Sequence, residues 1–369
     1  MNSKMVDRAA MIICGSTTLM TILMQRRDFG MAVLGLAAQR LPLAATPDQK
    51  VRVLSTADRM VVQPVIDDFE RTHPGYNIDY VQLGSVELHA QFLTDQGAHA
   101  DVLWSSAQDL QTKLVNDGYA LRYESPHADF LPRWAMWKNE AYGTTHEPVG
   151  IAYHRQLLAQ SEIPTTHLAL AALLRSNTRR FRDRVATYDI EKAGLGYLTA
   201  AHDAMASPQS WELVRSLAQC RASLHIDTQS MLESIAAGRT ALAYNVLGTY
   251  ADAYARSNAD MGVAYLQDYT FVVSRVAFIA RKAPNPQGAK LWLDHLLSQT
   301  GQRLLAETGR LYGVRTDMTG PRSAAALKKL LGSAARPIAI GPGLLANLDR
   351  SKRNALLKRW HAEFEHARV

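Results

Sequence analysis

The sequence predicts an α/β protein of two lobes around a hinged central cleft, and three observations lead there. At 369 residues the chain exceeds what one hydrophobic core normally supports. Short apolar runs alternate with segments of helical periodicity, the pattern of a largely parallel sheet built by right-handed crossovers. That alternation closes a first unit, builds a second and then returns to the first, and two chain crossings between lobes form a hinge.

Residues 51–54 (Val51 to Leu54) read as a short strand. Val61, Val62, Val65, Ile66 and Phe69 then recur at helical spacing until Pro74 and Gly75 stop the helix. A strand over 78–81, a helix over 86–94, a buried strand over 101–104 and a helix ending near Gly118 complete the first series. A strand starting at Pro148 leaves it. The second unit is marked by a strand at Val185, a helix over 195–205 and a strand starting at Ala241. Residues 271–279 read as one strand returning to the first lobe, and from Pro286 onward the chain is mainly helical. The expected divisions are an export signal over 1–45, a first lobe from 46–148 and 270–369 that includes the C-terminal helices, and a second lobe over 149–269.

Composition fits a globular chain, with 47% hydrophobic and 20% charged residues and neither repeats nor low-complexity runs. The formal charge of +7 does not mark a nucleic-acid binder. Lys4, Arg8, Arg26, Arg27 and Arg40 against Asp7 and Asp28 carry +3 of it, and the rest forms no basic block or aromatic-interleaved stripe. The stretch from Met24 through Arg26, Arg27 and Phe29 into a weakly apolar run ending in small residues resembles a twin-arginine export signal. Met24 is the expected start, cleavage is expected near Ala38 or Ala45, and the expected location is the periplasm. An uncleaved anchor over 9–24 is shorter than the ~20 residues a bilayer core needs. With that start Cys14 is not made, and Cys220 alone forms no internal disulfide.

Three segments resemble the type II periplasmic solute-binding proteins of ABC transporters, over a span from Val51 to about Met318. They run from Asn285 to Gln302, like the late paired helices of that superfamily; from Ala100 to Ser106, like its third strand and ligand loop; and from Ile235 to Asn245, like its second-lobe strand. The resemblance implies the two-lobed type II fold. Within the superfamily the chain is similar to the ferric-iron-binding branch and its relatives, the phosphoglycerate transport regulatory proteins and the sugar-phosphate and aminophosphonate receptors. The iron binders carry a His in the first loop, an acidic residue after the third strand and a tyrosine pair after the second-lobe strand. Here those positions hold Ser55 to Asp58, Ser105 with Ser106, and Val246 with Leu247. Ferric iron is a hard cation that needs anionic oxygen donors, so the resemblance carries over the fold without the iron ligands.

Hydroxyl, amide and backbone N–H groups remain at the ligand-facing loops. Ser55, Thr56, Ser105 and Ser106 each lie between a strand and a helix; Thr187 and Tyr188 end a second-lobe strand; Gly196 lies at a helix start; and Tyr244 and Asn245 end another strand. Open α/β sheets bind ligands beyond the carboxyl ends of their strands, and helix N-termini favour anions. Helix capping and ligand contact both fit each hydroxyl, and core packing also fits Tyr188 and Tyr244. Asp58, Arg59, Glu191, Lys192 and Arg275 are nearby charges for which plain solvation is the alternative, and Arg275 is the cationic candidate.

No P-loop, nucleophile elbow, HExxH helix or paired-cysteine motif is present, and the 12 histidines are scattered; His146 and His154 flank only Glu147. The expectation is a monomeric receptor, not an enzyme, with no cofactor or metal, that captures a small phosphorylated or carboxylated anion for an ABC-transporter permease. Ferric-iron transport and presentation to a membrane sensor kinase are the alternatives. If the arginine pair is read as an export signal, Arg26→Lys with Arg27→Lys leaves full-length precursor inside the cell, while the wild type yields mature protein beginning between about residues 38 and 50. Unaltered export of the double variant, followed by fractionation and N-terminal sequencing, overturns that assignment.

Overall fold

The computed structural model describes residues 49–94, 97 and 99–366; the twin-arginine stretch, its start and its cleavage site lie outside them. Thirteen strands occur in chain order: β1 Gln49–Ser55, β2 Tyr76–Gln82, β3 Val102–Ser105, β4 Met136–Trp137, β5 Ala141–Gly143, β6 Glu147–His154, β7 Val185–Tyr188, β8 Ser223–His225, β9 Leu242–Leu247, β10 Met261–Ala264, β11 Thr270–Val273, β12 Val276–Ile279 and β13 Ala335–Pro337. They form two sheets, one per lobe. The first runs β2-β1-β3-β12-β5-β4 and the second β13-β11-β6-β9-β7-β8, with β10 also on β6. Parallel pairs (β1 with β2 and β3, β7 with β8 and β9) come from crossover helices, while β12 enters the first sheet antiparallel to β3.

Side-chain alternation sets both faces of each sheet. In β1 Val51 and Val53 face a core completed by Trp104, Trp292 and Leu296, while Leu54 joins Leu103, Phe92 and Phe278 on the other face. In β6 Ile151 and Tyr153 meet Val185, Leu242 and Trp211, and Ala152 meets Ala186, Ala243 and Ile235. All four faces are covered by apolar side chains, which is why the strands read as nearly continuous apolar runs.

The expected strands and helices recur within a few residues of their expected bounds, with two differences. Residues 271–279 form two strands: β11 pairs with β6 in the second sheet, the chain turns at Ser274 and Arg275, and β12 pairs with β3 in the first. The segment from Pro286 onward does not all stay with the first sheet. Helices Pro286–Leu297 and Gln299–Glu307 pack there through Trp292, Leu293 and Leu305, but β13 pairs with β11, and helix Arg350–His366 sets Leu357, Trp360 and Phe364 into the core of the second. The i, i+3, i+7 spacing of those three residues declares an apolar face and says nothing of which sheet receives it.

His146 lies at the crossing into β6 against the Trp134 ring, 4.9 Å between centroids, with both ring nitrogens shielded and without hydrogen-bond partners among the described residues. Burial pushes it down to about 4. Burial does the same to His295, also to about 4, against the smaller opposing pull of Asp68 with Oδ2 3.4 Å away. An unfolded histidine titrates near 6.5. Between about pH 6.5 and 4 the unfolded chain therefore binds more protons, and the stability these residues contribute above pH 6.5 is lost as pH falls, at up to about 1.4 kcal/mol per pH unit for each. Urea unfolding at pH 7.5 and 4.5 checks this: His146→Gln with His295→Gln flattens the pH dependence, and an unchanged slope refutes the assignment.

Candidate functional site

Six helices begin at one cavity of about 380 Å³ between the lobes. Its lining includes Thr56 and Asp58 ahead of helix Arg59–Thr72, Ser85 at the start of Ser85–Thr94 and Ser106 just before Gln108–Asn116. The other lobe supplies Leu195 near the start of Gly194–Ala206, Thr228 opening Thr228–Ala236, and Leu247 and Tyr250 around the start of Gly248–Ser257. The topology produces this convergence, because a crossover helix starts where its strand ends and the carboxyl ends of β1, β3, β7 and β9 face the cleft. The positive dipole ends of the helices are thereby directed to one place.

Arg275 forms the floor. It is 1% exposed and its partner Glu147 is fully buried. Nε lies 3.0 Å from Glu147 Oε1 without hydrogen-bond alignment, Nη1 is 3.5 Å from Thr56 Oγ1, and the guanidinium carbon sits 5.3 Å from the centre of the Tyr250 ring. Nη2 has no partner among the described residues. Burial works against the charge, but Glu147, followed by Tyr250, Tyr80 and Asp58, outweighs it and holds Arg275 protonated. Glu147 is fixed in turn by the hydroxyls of Thr145 and Thr249, each donating at 2.8 Å.

Around this floor the groups are neutral hydroxyls. Ser106 N–H donates to Thr56 Oγ1 at 3.1 Å, Tyr188 and Thr228 share a hydrogen bond, and Tyr250 OH accepts the Asp58 N–H at 3.4 Å. Burial raises the phenols of Tyr188 and Tyr250 well above their ordinary range, so both remain protonated donors. At the mouth the sign changes: Asp58 is half-buried and Glu87 and Asp227 are exposed, beside Gln82 and Gln229. Asp58 accepts from Gln82 Nε2 at 2.8 Å and Asp227 caps its helix at Ser230 N–H, 2.7 Å.

Of the ten residues expected from the sequence, Thr56, Ser106, Tyr188 and Arg275 line this cleft. Ser55 and Ser105 are buried just behind it, where their hydroxyls accept the N–H groups of Ala57 and Ala107 at 3.0 and 3.2 Å. Thr187, Gly196, Tyr244 and Asn245 line instead a cavity of about 20 Å³ inside the second lobe. Gly196 packs so closely on Tyr188 that a Cβ would lie 2.4 Å from the Tyr188 Cβ. Tyr244 and Asn245 serve Asp203, donating to its Oδ2 at 2.8 and 3.0 Å. The cause for Asn245 is a bulge: it lies unpaired between the Tyr244 and Val246 pairings with β6 and takes φ +65°, which turns its amide into the lobe. Glu191 and Lys192 do not line the cleft, and among the described residues no group of three or more His, Cys, Asp or Glu is placed to hold a metal ion.

Sequence reasoning passed over Ser85, Asp227, Thr228 and Tyr250. Asp227 and Thr228 carry the same signal as Ser105 and Ser106, a polar pair between a strand and a helix, and were within its reach. Tyr250 was not, since its place depends on the phase of the helix after β9.

A family model described as bacterial extracellular solute-binding protein matches residues 51–311. No curated protein sequence matches the chain. Among solved structures, the substrate-binding protein of an ABC transporter from Agrobacterium tumefaciens is 31% identical, with 87% of this chain and 96% of that one covered and a TM-score of 0.83. AfuA from Actinobacillus pleuropneumoniae, a periplasmic binding protein with fructose-6-phosphate bound, is 16% identical over 86% and 99%, with a TM-score of 0.72. Iron-bound HitA from Pseudomonas aeruginosa is 15% identical over 85% and 99%, with a TM-score of 0.68.

The buried pair gives a direct expectation. Arg275→Met strands the Glu147 carboxylate and Glu147→Leu strands the guanidinium, and each costs about 3–5 kcal/mol. Arg275→Met with Glu147→Leu costs far less than the two singles together. Denaturant unfolding of the double-mutant cycle measures the coupling, and additive losses refute it.

Proposed function

The chain belongs to the bacterial extracellular solute-binding proteins, and from that membership we propose that it captures a small phosphorylated or carboxylated organic anion between its lobes and hands it to an ABC-transporter permease. Proteins of this family are transport receptors that work outside the cytoplasm; the paired Arg26 and Arg27 support the twin-arginine route there.

The observation that carries the ligand class is the Nη2 of Arg275, which has no partner among the described residues, in a buried floor where the positive ends of six helices and the hydroxyls of Thr56, Ser106 and Thr228 gather. A phosphate or carboxylate held by such a set needs no full counter-charge, because charge-assisted hydrogen bonds and helix dipoles share the load. The acidic mouth supports a ligand whose remaining groups donate, as hydroxyls do, and disfavours a second anionic group there. Fructose-6-phosphate, bound in AfuA, has that pattern of one phosphate on a hydroxyl-rich body.

Ferric iron is the competing ligand, favoured by Tyr188 and Tyr250 with Asp58 and Asp227 around one cavity. It requires the two buried phenols to lose their protons, against the direction in which burial moves them. Presentation of the loaded form to a sensor kinase uses the same cleft.

The test is calorimetry and thermal unfolding of the mature protein with sugar phosphates, phosphoglycerates, di- and tricarboxylates, aminophosphonates and ferric iron. A true ligand at a hundred times its Kd adds about 2.7 kcal/mol of stability. Ser106→Ala and Thr228→Val weaken its binding by about 0.5–1.5 kcal/mol each, whereas Asn245→Ala lowers stability equally with and without it. A response to ferric iron with every anion inert overturns the proposal.

A further inference from the structure

We propose a second anion-binding site, distinct from the cleft, in the groove of about 710 Å³ where Arg256, Arg303 and Arg322 meet the start of helix Gln299–Glu307. Its ligand class is a small tetrahedral oxyanion of the inorganic phosphate type.

Arg322 carries the inference. It is 8% exposed, its Nη1 donates to the Arg310 carbonyl, its guanidinium carbon lies 5.6 Å from the centre of the Tyr312 ring, and its Nη2 has no partner among the described residues. A buried guanidinium with a free N–H is costly unless something accepts from it. The surrounding charges do not remove the cost. Burial first, then Arg256 and Arg310, oppose the charge on Arg322, with Tyr312 and Asp252 pulling the other way. Asp252 accepts from the Tyr265 hydroxyl at 3.2 Å. Of the two acidic residues lining the groove, Asp317 is held by Arg315 through two hydrogen bonds of 2.8 and 2.6 Å, which leaves Glu307 against three arginines.

The helix start adds to this. Gln299 and Thr300, the first two residues of a nine-residue helix, line the groove with Arg303, so the positive end of the helix faces the same space. Two exposed arginines and a buried one thus line a single groove, a donor set of the kind that recognises phosphate oxygens. The two exposed arginines come from different lobes. The helix of Arg256 packs on the second sheet and begins in the cleft at Tyr250, while the helix of Arg303 packs through Leu305 into the first core. An anion here therefore ties the lobes together at a second point.

Calorimetric titration with inorganic phosphate tests the site in the mature Ser106→Asp protein, whose cleft then carries a carboxylate that repels phosphate, so that the groove is read alone. In that background Arg256→Glu and Arg303→Glu, both at exposed positions, weaken phosphate binding at least tenfold, and Arg322→Met abolishes the rise in melting temperature that phosphate gives. If Arg322→Met fails to fold, the two exposed variants decide the matter. Phosphate binding that is absent from the Ser106→Asp protein, or that survives both charge reversals in it, overturns the proposal.

Discussion

The buried ion pair of Glu147 and Arg275 lies where the chain passes between its two sheets, Glu147 at the first residue of β6 and Arg275 between β11 and β12. These two of the chain's crossings are thereby tied to one another. Thr144 N–H and its hydroxyl donate to the Arg275 carbonyl, the Arg275 N–H donates to Thr145 Oγ1, and the Thr145 N–H donates to Ser274 Oγ. Gln108 and Gln302 reach in from the helices to satisfy Ser274 N–H and the Thr144 carbonyl. A connection of this kind has few alternative pairings, since any other arrangement leaves buried polar groups unmatched. The same guanidinium that organises the hinge forms the floor of the cleft, so hinge geometry and the electrostatics of the cleft share one residue.

The cleft walls follow from strand order. Parallel pairing of β1 with β3 and of β7 with β9 sends the strand ends of each lobe toward the other, and every crossover helix then starts at the gap. What distinguishes this site is where the charges lie: one cation at the bottom, partly matched by Glu147, and carboxylates only at the mouth. The low dielectric around Arg275 strengthens any hydrogen bond it makes with an anion, while water screens Asp227 and Glu87.

Most of the fold was legible because periodicity reports it directly. Alternation in β1 and β3 and the spacing of Val62, Val65, Ile66 and Phe69 follow from burial on defined faces, and the structure uses those faces. The destination of the C-terminal helices was not legible, since an apolar stripe does not name its partner. The site divided along a similar line. Thr56 and Ser106 were found because a polar pair between a strand and a helix is a local signal, and the same signal also selected Ser55 and Ser105, whose hydroxyls turn back to their own backbone. Asn245 was misread because a bulge reverses which way a strand-end residue points, and no composition rule registers one extra residue in a ladder.

Beside the cleft the lobes meet where Gln108 Nε2 donates to the Ile338 carbonyl at 3.1 Å and the Ile340 N–H to the Trp134 carbonyl at 2.8 Å, and at the cleft itself they meet through further neutral hydrogen bonds. Gly194 N–H donates to Ser85 Oγ at 2.9 Å, and the Asp58 N–H reaches the Tyr250 hydroxyl at a long 3.4 Å. The backbones come close enough at Gly194 that a Cβ there would lie 2.8 Å from the Ala107 Cβ, so glycine is what permits the approach. Neutral hydrogen bonds of this type contribute about 0.5–1.5 kcal/mol each. Thr56 and Ser106 on one wall and Tyr188 and Thr228 on the other keep the facing surfaces of the cleft polar, and such groups exchange protein partners for water at small net cost. Had the two walls been apolar, their burial against each other would hold the lobes together whatever the cleft contained; polar walls leave that equilibrium open to any differential interaction made between them.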